Sequence, residues 1–164
     1  MARPPVWYLN AARRTLHAVL PALTPPDDAF ASRRLPAAEY RIYERMDPRD
    51  RHHACQVAKA LLARHPGVTD ELVRAALLHD VGKSGRRYRV LERVLVHLLP
   101  ERPLPAEPRL RGLAGALQVK RHHHAYGAEM IRSAGGSETV ARLVADHHVA
   151  GGNAEMLRRI DDET

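Results

Sequence analysis

The sequence has little cysteine and few aromatic residues, and both shortages narrow the fold. Its single cysteine, Cys55, excludes an internal disulfide framework and a zinc site built on cysteines. Only seven of the 164 residues are aromatic: one Trp, five Tyr and one Phe. The core must therefore come from Leu, Val, Ala and Ile, which suits packed helices better than a β-sandwich. Runs of alternating β-branched residues are also absent. We therefore expect an all-α fold, a compact bundle of several helices.

Long apolar runs are missing as well. No run approaches the ~18 apolar residues of a membrane span. The N-terminus carries Arg3, Arg13 and Arg14, and its apolar stretch is broken by Pro21, so we expect neither a signal peptide nor a membrane span there. We therefore expect a cytoplasmic protein without a membrane partner. The net charge of +7, from 26 Lys and Arg against 19 Asp and Glu, favours an anionic partner. That partner is a nucleic acid, a nucleotide or a phosphorylated metabolite, unless the charge only aids solubility.

Proline, glycine and capping residues divide the chain into predicted elements. Residues 1–41 are predicted to form a proline-rich lead-in with some helix, and residues 42–164 to form the main domain. Asp47 and Thr69 have the side chains of helix N-caps, and Pro66-Gly67 ends the first of those two helices. The spacing of apolar residues predicts helices over 7–20, 37–45, 47–64, 69–80, 87–99, 109–118, 122–133 and 137–147, with a short one after Gly152.

The residues that are candidates for metal binding lie where histidines cluster in the sequence. Residues 76–83 read Ala-Leu-Leu-His-Asp-Val-Gly-Lys, so that a histidine and an aspartate follow an apolar helix. Burying unpaired polar groups is costly, and a divalent metal would satisfy both His79 and Asp80. The alternative is a helix end at which both side chains face solvent.

A second candidate ligand comes from the preceding helix, in which two histidines are adjacent. His53 shares a face with Val57 and Leu61 through the i, i+4, i+8 relation, whereas His52 lines up with polar residues. We therefore expect His53 to point inward and His52 to be solvated or to lie outside the ligand set.

Together these segments resemble the HD-domain metal-dependent phosphohydrolase superfamily over roughly residues 42–162. Its members are helical and place one His, an adjacent His-Asp pair and a distant Asp around a metal. Three further segments extend the similarity: His-His-Ala-Tyr-Gly-Ala-Glu at 123–129, the His pair at 147–148, and Leu-Arg-Arg-Ile-Asp-Asp at 157–162.

The resemblance implies a ligand set. His53, His79 and Asp80 would hold one metal ion together with Asp161, unless Asp161 belongs to a solvated acidic tail. The positions that hold a second metal or face the substrate phosphate in dinuclear members are matched by His123, His147 and His148, and Asp80 would bridge the two ions. So many imidazoles favour Mn or Fe, with Ni, Co or Mg as alternatives, as one or two ions.

The resemblance also implies an activity, the hydrolysis of a phosphoester or phosphoanhydride in a nucleotide or a related phosphorylated metabolite. Asp80 would orient or deprotonate the attacking water, and Lys83 would meet a phosphate, unless its charge only complements the helix dipole. Arg86 and Arg87 would add a basic rim for the substrate, or are simply solvated.

Two family motifs are absent, which disfavours two branches. The His pair at 147–148 is not followed by the Gly-Tyr-Pro of cyclic-dinucleotide hydrolases, and no Glu-Asp pair of alarmone hydrolases follows the His-Asp doublet. Two other functions compete: a metal-binding regulatory module without turnover, and a basic nucleic-acid-binding helical protein. His124 aligns with Ala128 and Ile131, which predicts a residue at the edge of the core.

Overall fold

The computed structural model describes residues 25–86, 103–108, 110–147 and 151–164, with the single positions 92, 96 and 99. These residues form seven α-helices and no strand, which confirms the all-α fold. The helices are α1 (Asp28–Ser32), α2 (Ala37–Tyr43), α3 (Pro48–Arg64), α4 (Asp70–Leu78), α5 (Gly112–Ser133), α6 (Glu138–Ala145) and α7 (Gly152–Glu163), and a 3₁₀ helix (Val81–Gly85) follows α4.

Four of the described helices, α1, α3, α4 and α6, begin at a residue whose side chain accepts a hydrogen bond from one of the first backbone N–H groups. The carboxylate of Asp47 accepts from the N–H of Arg49 at the start of α3. The hydroxyl of Thr69 does the same for Leu72 in α4. Both predicted N-caps are therefore confirmed. Such an acceptor stabilises the start of a helix because it satisfies a backbone N–H that has no partner within the helix.

Two predicted boundaries are wrong. The helices predicted over 109–118 and 122–133 are one continuous helix, α5. Residues 119–121 contain no Gly or Pro, and Val119 is buried on the same helical stripe as Ala116 and His123, so packing continues through the expected break. The helix predicted to reach Asp80 ends at Leu78. The predicted helix 7–20, and 87–99 apart from its three single positions, lie outside the described residues.

The core is built from small and branched aliphatic side chains of nearly every described helix. Its largest completely buried aliphatic members include Leu61 of α3, Leu77 of α4 and Leu157 of α7. The segment 31–46 also contributes, through Ala31, Leu35, Ile42, Tyr43 and Met46. Helices α1 and α2 are therefore packed into the same core as the rest. The predicted division between residues 41 and 42 stays a prediction.

A buried ion pair joins α2 to α4. The carboxylate of Glu39 is completely buried and accepts two hydrogen bonds from the guanidinium of Arg74, at 2.5 and 2.9 Å. It also accepts from the backbone N–H of Ser137, the N-cap of α6, at 3.0 Å. All these partners satisfy a charge that would otherwise be costly to bury.

The 3₁₀ helix lies directly against α5. A Cβ atom at Gly82 would stand 1.9 Å from the carbonyl oxygen of His123 and 2.7 Å from the backbone nitrogen of Gly127. Only glycine allows this approach, which brings the segment Asp80–Lys83 beside His123. Of the described helices, none is long and apolar enough to cross a membrane.

Candidate metal centre

Four side chains from three parts of the chain meet at one point. The Oδ1 atom of Asp161 lies 2.7 Å from Nε2 of His53 and 3.4 Å from Nε2 of His79. The Oδ2 atom of Asp80 lies 3.6 Å from the same nitrogen of His79. One donor atom each from His53, His79 and Asp80 lies within 4.8 Å of the others. All four residues singled out by the sequence as ligands are thus brought together.

Helix packing explains this convergence. The buried residues of α4 run up to Leu78, so that His79 and Asp80 are drawn inside at the helix end, where they are 1% and 3% exposed. His53 lies on the face of α3 that buries Val57 and Leu61, as its spacing predicts. Its neighbour His52 instead faces the backbone oxygen of Pro25 at an exposed position.

The fourth candidate ligand, Asp161, lies on the C-terminal helix. Leu157 is completely buried and Ile160 nearly so, and they hold α7 against the core. Asp161 follows directly, and its side chain is 23% exposed, against 58% for that of Asp162. The carboxylate of Asp161 therefore belongs to the site rather than to a solvated tail.

The geometry of His79 leaves one ring nitrogen for a cation. Its Nδ1 lies 2.8 Å from the carbonyl oxygen of Ala76. A carbonyl only accepts, so Nδ1 carries the hydrogen and Nε2 keeps the lone pair of the neutral ring. That Nε2 is buried without a hydrogen-bond partner among the described residues. Burial alone would lower the pKa of His79, but the carboxylates of Asp80 and Asp161 raise it to about 9. In the metal-free protein this nitrogen therefore holds a proton.

Both carboxylates are ionised at neutral pH. Burial opposes ionisation, but Lys83 and His79 hold the pKa of Asp80 well below its ordinary value. The pKa of Asp161 is likewise lowered, against its burial, by His79 and His53. Two carboxylates and two imidazoles are a donor set typical of a divalent transition metal, and their formal charge balances it. The residues therefore fit such an ion, which would replace the proton on His79.

Lys83 and His123 complete the surroundings of Asp80. The ammonium of Lys83 lies 2.6 Å from Oδ1 and 2.7 Å from Oδ2 of that carboxylate. Nε2 of His123 lies 3.4 Å from Oδ1. Asp50 lies one turn before His53 on α3, and its charge is one of those that raise the pKa of Lys83 against the effect of burial. Sequence reasoning missed Asp50, although its spacing from His53 was a signal.

The remaining predicted residues lie at varied distances from this point. Nε2 of His147 is 3.7 Å from Oδ2 of Asp161, whereas His148 and Arg87 lie outside the described residues. The guanidinium of Arg86 donates to the carbonyl of Gly112 and to Glu92, at 2.6 and 2.7 Å. In this arrangement the protein itself occupies those donors of Arg86.

His124 is closer to the site than its spacing suggested. It is buried, as are the residues Ala128 and Ile131 of the same helical stripe. Its ring centroid lies 3.9 Å from that of His123 and 4.5 Å from that of His147, nearly parallel to the latter ring. Stacking between different helices is a tertiary contact, and only the adjacency to His123 pointed to it in the sequence.

Comparison with known proteins gives one match. A model of the HD domain family matches residues 51–162, well over half of the chain and including all four candidate ligands. A search of curated proteins and a search of solved structures find no match. The family match, together with the site that the fold assembles, shows that the chain belongs to the HD domain family, whose members are generally metal-dependent phosphohydrolases.

Proposed function

We propose that this protein is a metal-dependent phosphohydrolase that cleaves a phosphoester or phosphoanhydride bond of a nucleotide or a related phosphorylated metabolite. The observation that carries the proposal is the convergence of two histidines and two ionised carboxylates around the buried Nε2 of His79. A purely structural cluster would bring a carboxylate oxygen within hydrogen-bond distance of that nitrogen, because an unsatisfied buried polar atom is costly. Here Oδ1 of Asp161 and Oδ2 of Asp80 instead stand 3.4 and 3.6 Å from it.

The residues that would hold the ion are His53, His79, Asp80 and Asp161. Manganese or iron suits this mixed set best, and nickel, cobalt or magnesium are alternatives. A bound ion would lower the pKa of the attacking water and neutralise charge on the phosphate oxygens. The second-metal or phosphate role of His123, His147 and His148 remains part of this proposal.

The side chains around Asp80 have distinct tasks in the proposed reaction. Asp80 accepts a hydrogen bond from the attacking water and orients it. Two of the three N–H groups of Lys83 face the oxygens of Asp80, and the third is left for a phosphate oxygen, because 30% of this side chain is exposed.

The ring of His123 can accept a proton on Nε2. Burial lowers its pKa, although Asp80 partly offsets the effect, so that the ring is neutral at physiological pH. Its Nδ1 faces the carbonyl of Lys120 at 2.8 Å and therefore carries the hydrogen. The Nε2 atom is left to accept a proton released by the water.

A phosphate substrate also agrees with the charge. The set of two carboxylates and a divalent ion is formally neutral, so the ammonium of Lys83 makes the site cationic. The whole chain carries a net charge of +7, which attracts anions over longer distances. Arg86 and Arg87 remain candidates for the rim of a nucleotide site.

Matched variants test the proposal. Asp161→Asn and His53→Ala should remove bound metal and hydrolysis of a generic phosphodiester with Mn²⁺, whereas the neighbouring changes Asp162→Asn and His52→Ala should preserve both. Metal content is measured by mass spectrometry on the purified protein, and a nucleotide panel follows. If the wild type binds no metal, or if each matched pair behaves alike, the site assignment is wrong. Metal binding without turnover of any phosphorylated compound would instead favour a regulatory module.

A further inference from the structure

Four exposed arginines lie along α1, α2 and the turns that follow these helices. They are Arg33, Arg34, Arg41 and Arg45, and together they make up the arginine patch. Among the residues that the structure describes, no acidic side chain forms an ion pair with any of the four. The patch therefore offers four guanidinium groups to an anionic partner.

The acidic residues of the same segment are directed toward the rest of the molecule. Three carboxylates pair with basic side chains of α3 and α4 at 2.5–2.7 Å: Asp27 with Lys59, Asp28 with Arg51, and Glu39 with Arg74. These pairs neutralise the carboxylates and tie α1 and α2 to the core. Glu44 is then the one exposed acidic residue among residues 27–46. Four arginines against one glutamate leave the outer side of this segment with a net charge of +3.

The packing of α2 separates its charged side from its apolar side. Ile42 and Tyr43 are buried in the core. Arg41 and Arg45 are four positions apart, so they lie on the opposite side, about one turn or roughly 6 Å from each other along the axis. Of the large hydrophobic side chains that the structure describes, only Leu99 is exposed. The patch therefore presents charge without the exposed apolar face that a membrane-bound helix inserts among lipids.

The chemistry of the patch fits a partner with closely spaced phosphates. A guanidinium binds a phosphate through two parallel hydrogen bonds and keeps its charge at any physiological pH. A nucleic-acid duplex carries one negative charge per ~1.7 Å of its axis, so several arginines meet phosphates at once. A single strand is bound largely by stacking of its bases on aromatic rings. The rings of this segment are not free for that purpose, because Tyr40 stacks on the buried Tyr43 and Phe30 lies beneath Arg34.

From this asymmetry we infer that the arginine patch binds the phosphate backbone of a nucleic-acid duplex without reading its sequence. The four arginines are not among the residues proposed for the metal centre, so this binding goes beyond the proposed hydrolysis and does not depend on it. All four also precede residue 51, at which the family match begins. The duplex-binding surface is therefore carried by helices that this chain adds in front of the matched domain.

The test compares two fourfold variants that lose the same charge. The first changes the patch: Arg33→Gln, Arg34→Gln, Arg41→Gln and Arg45→Gln. The control changes four surface arginines that pair with acidic side chains: Arg132→Gln, Arg142→Gln, Arg158→Gln and Arg159→Gln. Binding to fluorescent DNA and RNA duplexes is measured by anisotropy in EDTA. We expect the wild type and the control to bind, and the patch variant to bind at least about tenfold more weakly at low salt. The slope of log affinity against log salt should shrink by about 3–4, because four phosphate contacts are lost.

Each outcome decides. Equal weakening in both variants would overturn the inference, because net charge alone would then explain binding. So would a wild type that binds neither duplex, or that binds phosphatidylserine vesicles more tightly than either duplex. Binding of one duplex and not the other supports the inference and identifies the partner. If the patch variant does not fold, phenylglyoxal modification of the wild type, mapped by mass spectrometry, takes its place. Protection of Arg41 and Arg45 by the duplex supports the inference, and unchanged modification overturns it.

Discussion

Gly82 allows the sharpest test of how the site is assembled. Replacing it with alanine places a methyl carbon 1.9 Å from the carbonyl oxygen of His123 and 2.7 Å from the nitrogen of Gly127. Both contacts are with helix backbone, which cannot rotate away as a side chain can. The 3₁₀ turn and α5 must therefore separate, which takes Asp80 away from His123.

The expected loss of stability follows from the overlap between the new methyl group and the backbone of α5. Overpacking a tight interior typically costs about 1–3 kcal/mol, and a clash with backbone belongs at the upper end, so we expect Gly82→Ala to lower the free energy of unfolding by about 3 kcal/mol. For a chain of this size the melting temperature should fall by roughly 6–12 °C. Metal affinity should fall with it, because the proposed ligand Asp80 lies two residues away.

Gly85 provides the control within the same 3₁₀ helix. A Cβ there meets nothing within 4 Å, so Gly85→Ala should be neutral or stabilise by up to about 1 kcal/mol. The assay is urea unfolding of both variants and the wild type, followed by circular dichroism. Equal stability of the two variants would refute the packing argument, because the chemical change is the same and only the surroundings differ.

Two further expectations concern ion pairs and pH. Arg74→Met removes the guanidinium partner of the buried carboxylate of Glu39 and should lower the free energy of unfolding by about 3–5 kcal/mol. Arg132→Met breaks only an exposed ion pair and should leave stability essentially unchanged. Thermal unfolding compares the two variants, and similar losses would contradict the assignment. Burial lowers the pKa of His79, but Asp80 and Asp161 raise it from 6.5 to about 9. The proton on His79 therefore stabilises the metal-free fold fully below about pH 6.5. This contribution to stability is lost as the pH rises through about 9. The same proton competes with the metal for His79. The affinity for Mn²⁺, measured by calorimetry, should therefore rise by up to about tenfold per pH unit between about pH 6.5 and 8.5. An affinity that does not change with pH would be inconsistent with His79 as a ligand.

Much of the architecture could be predicted because its signals are local. Asp47 and Thr69 mark helix starts through hydrogen bonds to residues two and three positions later. The inward direction of His53, and not His52, follows from helical periodicity alone. The break expected within α5 was wrong, because residues 119–121 contain no Gly or Pro and the buried stripe of the helix continues through them.

The less predictable features depend on contacts between distant elements. Whether Asp161 lies in the site or in solvent is decided by the docking of α7, through Leu157 and Ile160. The double contact of Lys83 with Asp80 depends on how closely the 3₁₀ turn approaches α5. A sequence pattern gives the spacing of such residues, but it does not give the contacts that each side chain makes once the helices pack.

The ion pair between Glu39 and Arg74 has a consequence for where this domain begins. The family match starts at residue 51, but a chain cut there would lose the carboxylate that the 13%-exposed side chain of Arg74 binds. It would also lose the acceptor for the N–H of Ser137 at the start of α6. We therefore expect the smallest unit able to fold to be longer than the matched residues 51–162. Helix α2 contributes none of the four candidate ligands, but through Glu39 it holds α4, the helix that His79 and Asp80 directly follow.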